Sequence, residues 1–173
     1  MELQLNAGVL ETIEAYRLPR FAEIPTVGLY LNQVVKYING YTSPFADMAL
    51  TESMVSNYVK KGLVANPVKK QYDADQIAHV LFIAFAKTVL SMDNIRELFT
   101  LRQQHHESAQ AYDFFCNEFE AVLQAVYAQK GIPHLPPDRE SDATLLCRNV
   151  IVAVVHKLYL DHCFQAMPEP LAD

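Results

Sequence analysis

The sequence predicts a mostly α-helical fold that contains a small two-stranded wing. Apolar residues recur at three- and four-residue steps along most of the chain, which is the spacing of amphipathic helices. Alternation of apolar and polar residues occurs only in a short stretch, around residues 63–72. Because 51% of the 173 residues are hydrophobic, the chain has enough apolar material for one sizeable core or two small ones. We therefore expect a folded, helical protein.

The distribution of charge divides the chain into parts of different character. The net charge is −6, which argues against a nucleic-acid partner because affinity for DNA depends on neutralising phosphates. The first 100 residues contain 9 Lys and Arg and 10 Asp and Glu, whereas residues 101–173 contain 5 Lys and Arg and 10 Asp and Glu. The negative charge therefore lies mostly in the second part of the chain. We expect an irregular lead over residues 1–28, a domain over residues 29–101 and a helical part over residues 102–173.

Two helices are predicted at the start of the expected domain. The first has one apolar face and ends near Gly40. A proline-containing connection then leads to Thr51, a good N-cap for a second helix that runs to about Lys61. The buried stripes predicted for the two helices consist of Leu31, Val34, Val35 and Ile38 in the first and of Met54, Val55, Tyr58 and Val59 in the second.

The opposite face of the second helix carries short hydrogen-bonding groups instead of the acidic and basic pairs of an ordinary solvated helix. Such groups can contact base edges or phosphate oxygens, and Asn57 is the best candidate for reading a base. An ordinary solvated or protein-facing surface is the alternative explanation of the same pattern. The residues of this polar face are Ser53, Ser56, Asn57 and Lys60.

A basic wing is predicted directly after the second helix. Gly62 can supply a left-handed helix cap, and two very short strands are expected at residues 63–64 and 68–72. No acidic residue occurs between Ser53 and Tyr72. The lysines of this stretch can contact DNA phosphates, with a solvated turn as the alternative. Besides the polar helix face, the residues assigned to DNA contact are Lys61, Lys69, Lys70 and Gln71.

Two further helices are predicted after the wing. Asp73 and Gln76 form a capping box that begins a helix running to about Leu90. Ser91 or Asp93 then caps a shorter helix. The resulting order of helix, turn, helix, wing, helix and helix is that of a winged helix-turn-helix domain. The apolar positions of the last two helices are Ile77, Val80, Leu81 and Ala84 in the first and Ile95, Leu98 and Phe99 in the second.

The segment 57–64 (Asn-Tyr-Val-Lys-Lys-Gly-Leu-Val), together with Pro67 and the segment 72–77, resembles the MerR-type DNA-binding domain. In that family an aromatic residue, a lysine or a basic pair, Gly-Leu and a proline-containing wing precede a tyrosine and a helix with an acidic cap. Residues 89–98 are similar to the family's fourth helix. The connection between the first two helices is longer here, and Ser56 stands where an arginine is common. The resemblance implies a MerR-like winged helix-turn-helix.

Several short motifs resemble, more closely, an uncharacterised bacterial family catalogued as a domain of unknown function. They are Leu18-Pro19-Arg20, Ile24-Pro25, Leu29-Tyr30 and residues 51–72, within a match over roughly residues 15–160. That family implies a fold and no established activity. The MerR resemblance, in turn, implies that Ser56, Asn57 and Lys60 face the major groove. It also implies that Lys69 and Lys70 touch the flanking DNA backbone.

The C-terminal part is predicted to contain two helices. One has a single apolar seam from Tyr112 to Val126, and the other, from about Asp142 to Met167, is apolar on more than one face. Because one partner helix cannot cover all of the second, we expect a homodimer formed through these helices. A ligand pocket is the alternative use of the aromatic and aliphatic stripes, although such stripes are more often core. The residues considered for a pocket are Phe115, Phe119, Cys147, Ile151 and Tyr159.

Several classes of protein and site are not expected. The N-terminus has no signal or transit pattern, and the longest apolar stretch, at residues 149–160, is too short to span a bilayer, so we expect a cytoplasmic protein. No zinc-ligand spacing and no catalytic or cofactor-binding motif occurs, so we expect no metal, no cofactor and no enzyme. The residues considered as metal ligands are His105, His106, His156, His162 and Cys163, and the cysteines are expected to be reduced thiols.

These expectations combine into a dimeric, cytoplasmic, bacterial transcription regulator whose partner is duplex DNA. The C-terminal helices would form the dimer and could receive a small-molecule signal. The alternative function is that of a protein-interaction adaptor, which would use the same winged-helix scaffold without binding DNA.

Overall fold

The computed structural model describes residues 5–104, 106–134 and 141–167. Within them the chain forms seven α-helices and one two-stranded antiparallel sheet, which confirms the prediction of a mostly helical fold with a small sheet. Pro136 and Pro137, which predict an extended connection, lie outside the described residues. The elements are α1 Ala7–Glu14, β1 Leu29–Tyr30, α2 Leu31–Thr42, α3 Glu52–Lys60, β2 Gln71–Tyr72, α4 Ala74–Ala86, α5 Met92–Gln103, α6 Ser108–Tyr127 and α7 Asp142–Ala166.

The segment that was expected to be an irregular lead contains α1 and a 3₁₀ turn at Phe21–Glu23. Asn6 Oδ1 accepts a hydrogen bond from the Gly8 amide at 2.8 Å and caps α1. Farther along, both terminal nitrogens of Arg20 donate to the Glu120 carboxylate of α6 at 2.7 Å. The prediction of an irregular lead was wrong, since Leu5, Val9 and Ile13 recur at four-residue steps and pack on the core, although Ile13 is the only residue of α1 that is buried.

The sheet also differs from the predicted wing. β2 pairs with β1, which precedes α2, and places Leu29 opposite Tyr72. Residues 63–64 are not a strand and instead turn inward, where both side chains are buried. The wing is therefore a tight turn at residues 68–71, extended by a strand from an earlier part of the chain.

One apolar cluster includes side chains from all seven described helices. α4 lies at its centre, since every residue from Val80 to Ala86 is buried. α4 contacts α2 on one side and α6 and α7 on the other. This common core spans the expected division at residue 101, and the division into separate domains stays a prediction.

α7 is longer than the apolar stretch 149–160 that the sequence analysis considered. At 25 residues it is long and apolar enough to cross a membrane, by length and composition only. Its buried face, however, packs on α6 and places Ile151, Val155 and Leu158 in the common core. A third of the most apolar window of α7 is buried inside the fold, which is consistent with a soluble protein.

Candidate nucleic-acid interface

α3 presents a polar face to solvent. Thr51 Oγ1 accepts a hydrogen bond from the Met54 amide at 3.2 Å, which confirms the predicted N-cap. Val55 and Tyr58 are buried, but Met54 is 37% exposed and was wrongly placed in the buried stripe. The nine-residue helix buries only this i, i+3 pair, so the position preceding Val55 faces outward. The exposed residues of the predicted polar face are Ser53, Ser56, Asn57 and Lys60.

The chain turns inward at the end of α3 through a glycine cap. Gly62 has a φ of 73°, in the left-handed region, as predicted. Its amide donates to the Val59 carbonyl, and the Leu63 amide donates to the Tyr58 carbonyl, both at 2.9 Å. This pair of bonds is the Schellman motif, which ends a helix and satisfies its last carbonyls. Leu63 is buried beside Tyr58 as a result, which explains why it does not form a strand.

Side chains from α2 and α5 hold the two ends of α3 through main-chain groups. Asn39 of α2 bonds to both polar groups of the Leu50 backbone, at 2.8 and 3.0 Å. Arg96 of α5 donates to the Lys61 carbonyl at 2.7 Å and pairs with Asp93 at 2.7 Å. These bonds position the helix without using its outer face. The sequence analysis assigned no role to Asn39 or Arg96, because a polar residue on a helix gives no signal of its distant partner.

Gln76 fixes the loop between α3 and the wing. Its side-chain oxygen accepts from the Asp73 amide at 2.8 Å while Asp73 Oδ1 accepts from the Gln76 amide at 2.9 Å, so the predicted capping box is confirmed. Its side-chain nitrogen donates to the carbonyls of Ala65 and Asn66, at 2.9 and 3.0 Å. Gln76 is buried, and one side chain thus caps α4 and holds the loop.

The wing ends in a turn made by two lysines. The Gln71 amide donates to the Val68 carbonyl at 2.9 Å, and the Val68 amide donates to the Gln71 carbonyl at 3.1 Å. Lys69 and Lys70 between them have φ angles of 49° and 63°. Two successive positive φ values are typical of a type I′ turn, which normally uses Asn and Gly. Lysine at these positions costs about 1 kcal/mol each, and both side chains are exposed.

The lysines of α3 and the wing are not neutralised by neighbouring carboxylates. In the part of the chain that the structure describes, no ion pair involves Lys60, Lys61, Lys69 or Lys70. All four are exposed. Their charge is therefore available to an anionic partner, although the protein as a whole is acidic.

Gln71 occupies a more restricted position than the other predicted contact residues. It is half-buried in β2, opposite Tyr30. A Cβ atom on Gly28 would lie 2.7 Å from the Cβ of Gln71, so the close approach of the two segments requires glycine there. The role of Gln71 in DNA contact stays a prediction.

The residues considered as metal ligands do not converge. His162 is buried, its Nδ1 accepts from the Tyr127 hydroxyl at 2.7 Å, and its Nε2 donates to the Pro44 carbonyl at 3.1 Å. Both ring nitrogens therefore have partners within the core. Among the described residues, no three His, Cys, Asp or Glu side chains form a group that could hold a metal, and His105 lies outside those residues.

A family described as a domain of unknown function (DUF1836) matches residues 19–115, more than half of the chain. The chain belongs to the DUF1836 family. The family match begins before the 3₁₀ turn, includes α2 to α5 with the wing, and ends within α6, while α7 lies beyond it. No curated protein and no solved structure matches the chain. The predicted membership in an uncharacterised family is confirmed, and the likeness of this DUF1836 chain to MerR-type domains stays a hypothesis.

Proposed function

We propose that this protein binds duplex DNA as a homodimer and regulates transcription in the bacterial cytoplasm. The observation that carries the proposal is the exposed polar face of α3 together with four exposed lysines, two at the end of α3 and two in the wing, that make no ion pair among the described residues. The order of α2, α3, wing, α4 and α5 is that of a MerR-like winged helix-turn-helix, and it supports the same function.

In this proposal α3 lies in the major groove. Asn57 would read a base edge, since an amide can bond to adenine through two hydrogen bonds. Lys69 and Lys70 would contact the flanking phosphates, and the bracing of α3 by Asn39 and Arg96 would keep the reading side chains in register. With about four lysines in contact, the logarithm of affinity would fall with the logarithm of salt at a slope of roughly −3 to −4 per subunit.

A dimer would double the number of phosphate contacts, which a chain with a net charge of −6 needs. α7 offers a surface for it. Three residues spaced by seven are exposed on one face along the helix, and the exposed C-cap Met167 continues this row as a seam. We propose that two α7 helices pair through this seam. Its residues are Leu146, Ala153, Leu160 and Met167, with Phe164 beside them.

The DNA proposal is tested with the purified full chain and labelled duplexes from its own promoter region. Anisotropy titrations at several salt concentrations should show affinity above that for a scrambled duplex, with the negative salt slope given above. Equal affinity for promoter and scrambled duplexes at every salt concentration would refute sequence-specific binding.

Two sets of substitutions distinguish base recognition from contact with the phosphates. Asn57→Ala should reduce the preference for the promoter duplex by about 1–3 kcal/mol. Lys69→Ala with Lys70→Ala should instead weaken binding to all duplexes alike and reduce the dependence of affinity on salt. Lys130→Ala, an exposed lysine beyond α6, is the matched control and should change neither property. Identical effects of the first two changes would contradict the assigned roles.

The dimer is tested by sedimentation at micromolar concentration. The wild-type chain should sediment as a dimer, and Leu160→Glu should produce a folded monomer because a charge at the seam would be buried without a partner. A strict monomer for the wild-type chain would refute the dimer, while the DNA titrations would still decide the first proposal.

Two exposed valines favour a second function, that of a protein-interaction adaptor. Val68 beside the wing lysines is 73% exposed, and Val27, next to β1, is 71% exposed. Apolar side chains at these positions add little to phosphate binding but contribute to protein interfaces. Absence of specific DNA binding, together with a protein partner that is lost on Val68→Ser, would favour the adaptor over the regulator.

A further inference from the structure

A cavity of about 580 Å³ lies between α4, α5, α6 and α7. This volume is within the range of small-molecule sites in proteins. Its walls include three phenylalanine rings, with centroids of Phe82 and Phe99 5.5 Å apart and those of Phe82 and Phe115 5.0 Å apart. Phe115 and Cys147, which were considered for a pocket, line this cavity, whereas Phe119 and Ile151 belong to the solid core.

One edge of the cavity is polar and is organised around Arg102. Arg102 Nη1 donates to Ser108 Oγ at 2.9 Å, and Nη2 lies 3.2 Å from His79 Nε2. His79 Nδ1 lies 2.7 Å from the Asp75 carbonyl, so we assign its proton to Nδ1 and leave Nε2 to accept from the arginine. The guanidinium is thus held by both terminal nitrogens. A second, more polar cavity, which shares Asp75 and Arg102, adjoins this edge.

Two buried polar atoms at this edge have no hydrogen-bond partner among the described residues. They are Arg102 Nε and Asp75 Oδ1. Both atoms are covered by the protein, so a ligand would contact these two groups through their other polar atoms, which are the terminal nitrogens of Arg102 and Oδ2 of Asp75. Burial lowers the pKa of Arg102 from its ordinary value while the charge of Asp75 acts in the opposite direction, which places the two charges close to each other. No ion pair neutralises Arg102 within the described part of the chain.

We propose that the cavity binds an α-amino acid with an aromatic or other apolar side chain. The Arg102 guanidinium is permanently charged, and each terminal nitrogen keeps one N–H beyond the contact already made, which it can donate to a carboxylate. The Asp75 carboxylate is half-exposed, and its Oδ2, 3.5 Å from His79 Nδ1, can accept from an ammonium group. Because both charges lie at one edge and the rings of Phe82, Phe99 and Phe115 form the walls, the complementary molecule is a zwitterion with an apolar body. This inference does not depend on DNA binding.

The first experiment uses the wild-type full chain and compares head groups. L-phenylalanine, L-tryptophan and L-leucine are tested by ligand-observed NMR and calorimetric titration. 3-Phenylpropionate and 2-phenylethylamine serve as matched probes that carry only the carboxylate or only the amine. The affinity for the amino acid that binds most tightly should be at least about tenfold higher than the affinity for either probe with a single head group. No saturable binding of any amino acid, or equal binding of all probes, would overturn the proposal.

The second experiment assigns each head group to its residue. Arg102→Gln should lower the affinity for phenylalanine and for phenylpropionate by about tenfold, while the affinity for phenylethylamine should change by less than about twofold. Asp75→Asn should lower the affinity for phenylalanine and for phenylethylamine but leave the affinity for phenylpropionate unchanged. Arg17→Gln is the control, because it removes an exposed arginine that is paired with Glu23. It should leave the affinities for all three probes unchanged. Equal weakening of all probes by either cavity variant, with the fold intact by circular dichroism, would contradict the assignment.

Discussion

The surface formed by α3 and the wing buries few side chains, whereas the cavity between α4 and α7 is partly open to solvent and lined by aromatic side chains. α3 buries only Val55 and Tyr58, and it is held by hydrogen bonds from Asn39 and Arg96 to its flanking backbone. The cavity region is held by contacts between aromatic rings. The difference shows that hydrogen bonds from exposed and half-buried side chains can position an outward-facing surface, while packed aromatic rings hold the walls of a cavity.

α5 connects the two regions. Arg96 on this helix binds the end of α3, and Arg102, six residues later, lies at the polar edge of the cavity. The two regions therefore share one helix but depend on different interactions. The predictions below test that difference.

The largest expected effect concerns the ring cluster. Phe85 is fully buried and contacts the rings of Phe45, Phe115 and Phe119. Phe85→Ala should lower the free energy of unfolding by about 3–5 kcal/mol, because it removes apolar contacts and leaves a cavity. Urea denaturation measures the change. Val68→Ala in the wing is the comparison and should stay within about 0.5 kcal/mol. Similar losses at both positions would contradict the contrast between the regions.

Gln76 tests the polar bracing of the other region. Gln76→Ala should lower the free energy of unfolding by about 2 kcal/mol, because it leaves buried groups of the loop and of the helix start without partners. Gln33 is a matched control, since it makes a single capping bond, to the Tyr30 amide at 2.9 Å, and is exposed. Gln33→Ala should cost about 0.5 kcal/mol in the same assay. Equal costs would show that the loop contacts of Gln76 add nothing.

Two thiols predict a loss of stability at alkaline pH. Burial raises the pKa of Cys116, which is fully buried, and that of Cys147, which is half-buried beside the cavity, to about 12. In the unfolded chain a thiol ionises near a pKa of about 8.5, so the unfolded state binds fewer protons above that pH and stability falls as the pH rises toward about 12. Between about pH 8 and pH 10 the loss should be on the order of 1–2 kcal/mol for each thiol.

Urea denaturation of the wild-type chain and of Cys116→Ala over this pH range measures the effect. Cys116 is completely buried, so the variant should start less stable but lose less stability between the two pH values. A parallel decline in both proteins would mean that ionisation of Cys116 is not the cause.

The smallest expected effect concerns the wing turn. Lys69→Asn with Lys70→Gly should raise the free energy of unfolding by about 1 kcal/mol, because these residues adopt positive φ values more easily than lysine. The same variant should bind duplex DNA as weakly as Lys69→Ala with Lys70→Ala, since both lose two positive charges. A more stable protein with undiminished DNA affinity would show that the turn geometry, and not the lysines, serves the interface.

Local interactions made several features predictable from the sequence. The cap at Thr51, the capping box of Asp73 with Gln76, and the left-handed Gly62 each join groups only a few residues apart. The exposed polar face of α3 was predictable for the same reason, since a helical period places residues three and four apart on one side. The sequence by itself thus determined the helices from α2 onward, several of their caps and the polar face of α3.

Only the tertiary structure decided which distant segments meet. The pairing of β1 with β2, the bond from Arg96 to the end of α3, and the contact of Arg102 with His79 at one cavity edge all join residues far apart in the chain. The exposure of Met54 also depended on the tertiary structure, because a helical period alone does not show how much of a short helix the core covers. Such features depend on the packing of whole elements, whose arrangement no local pattern encodes.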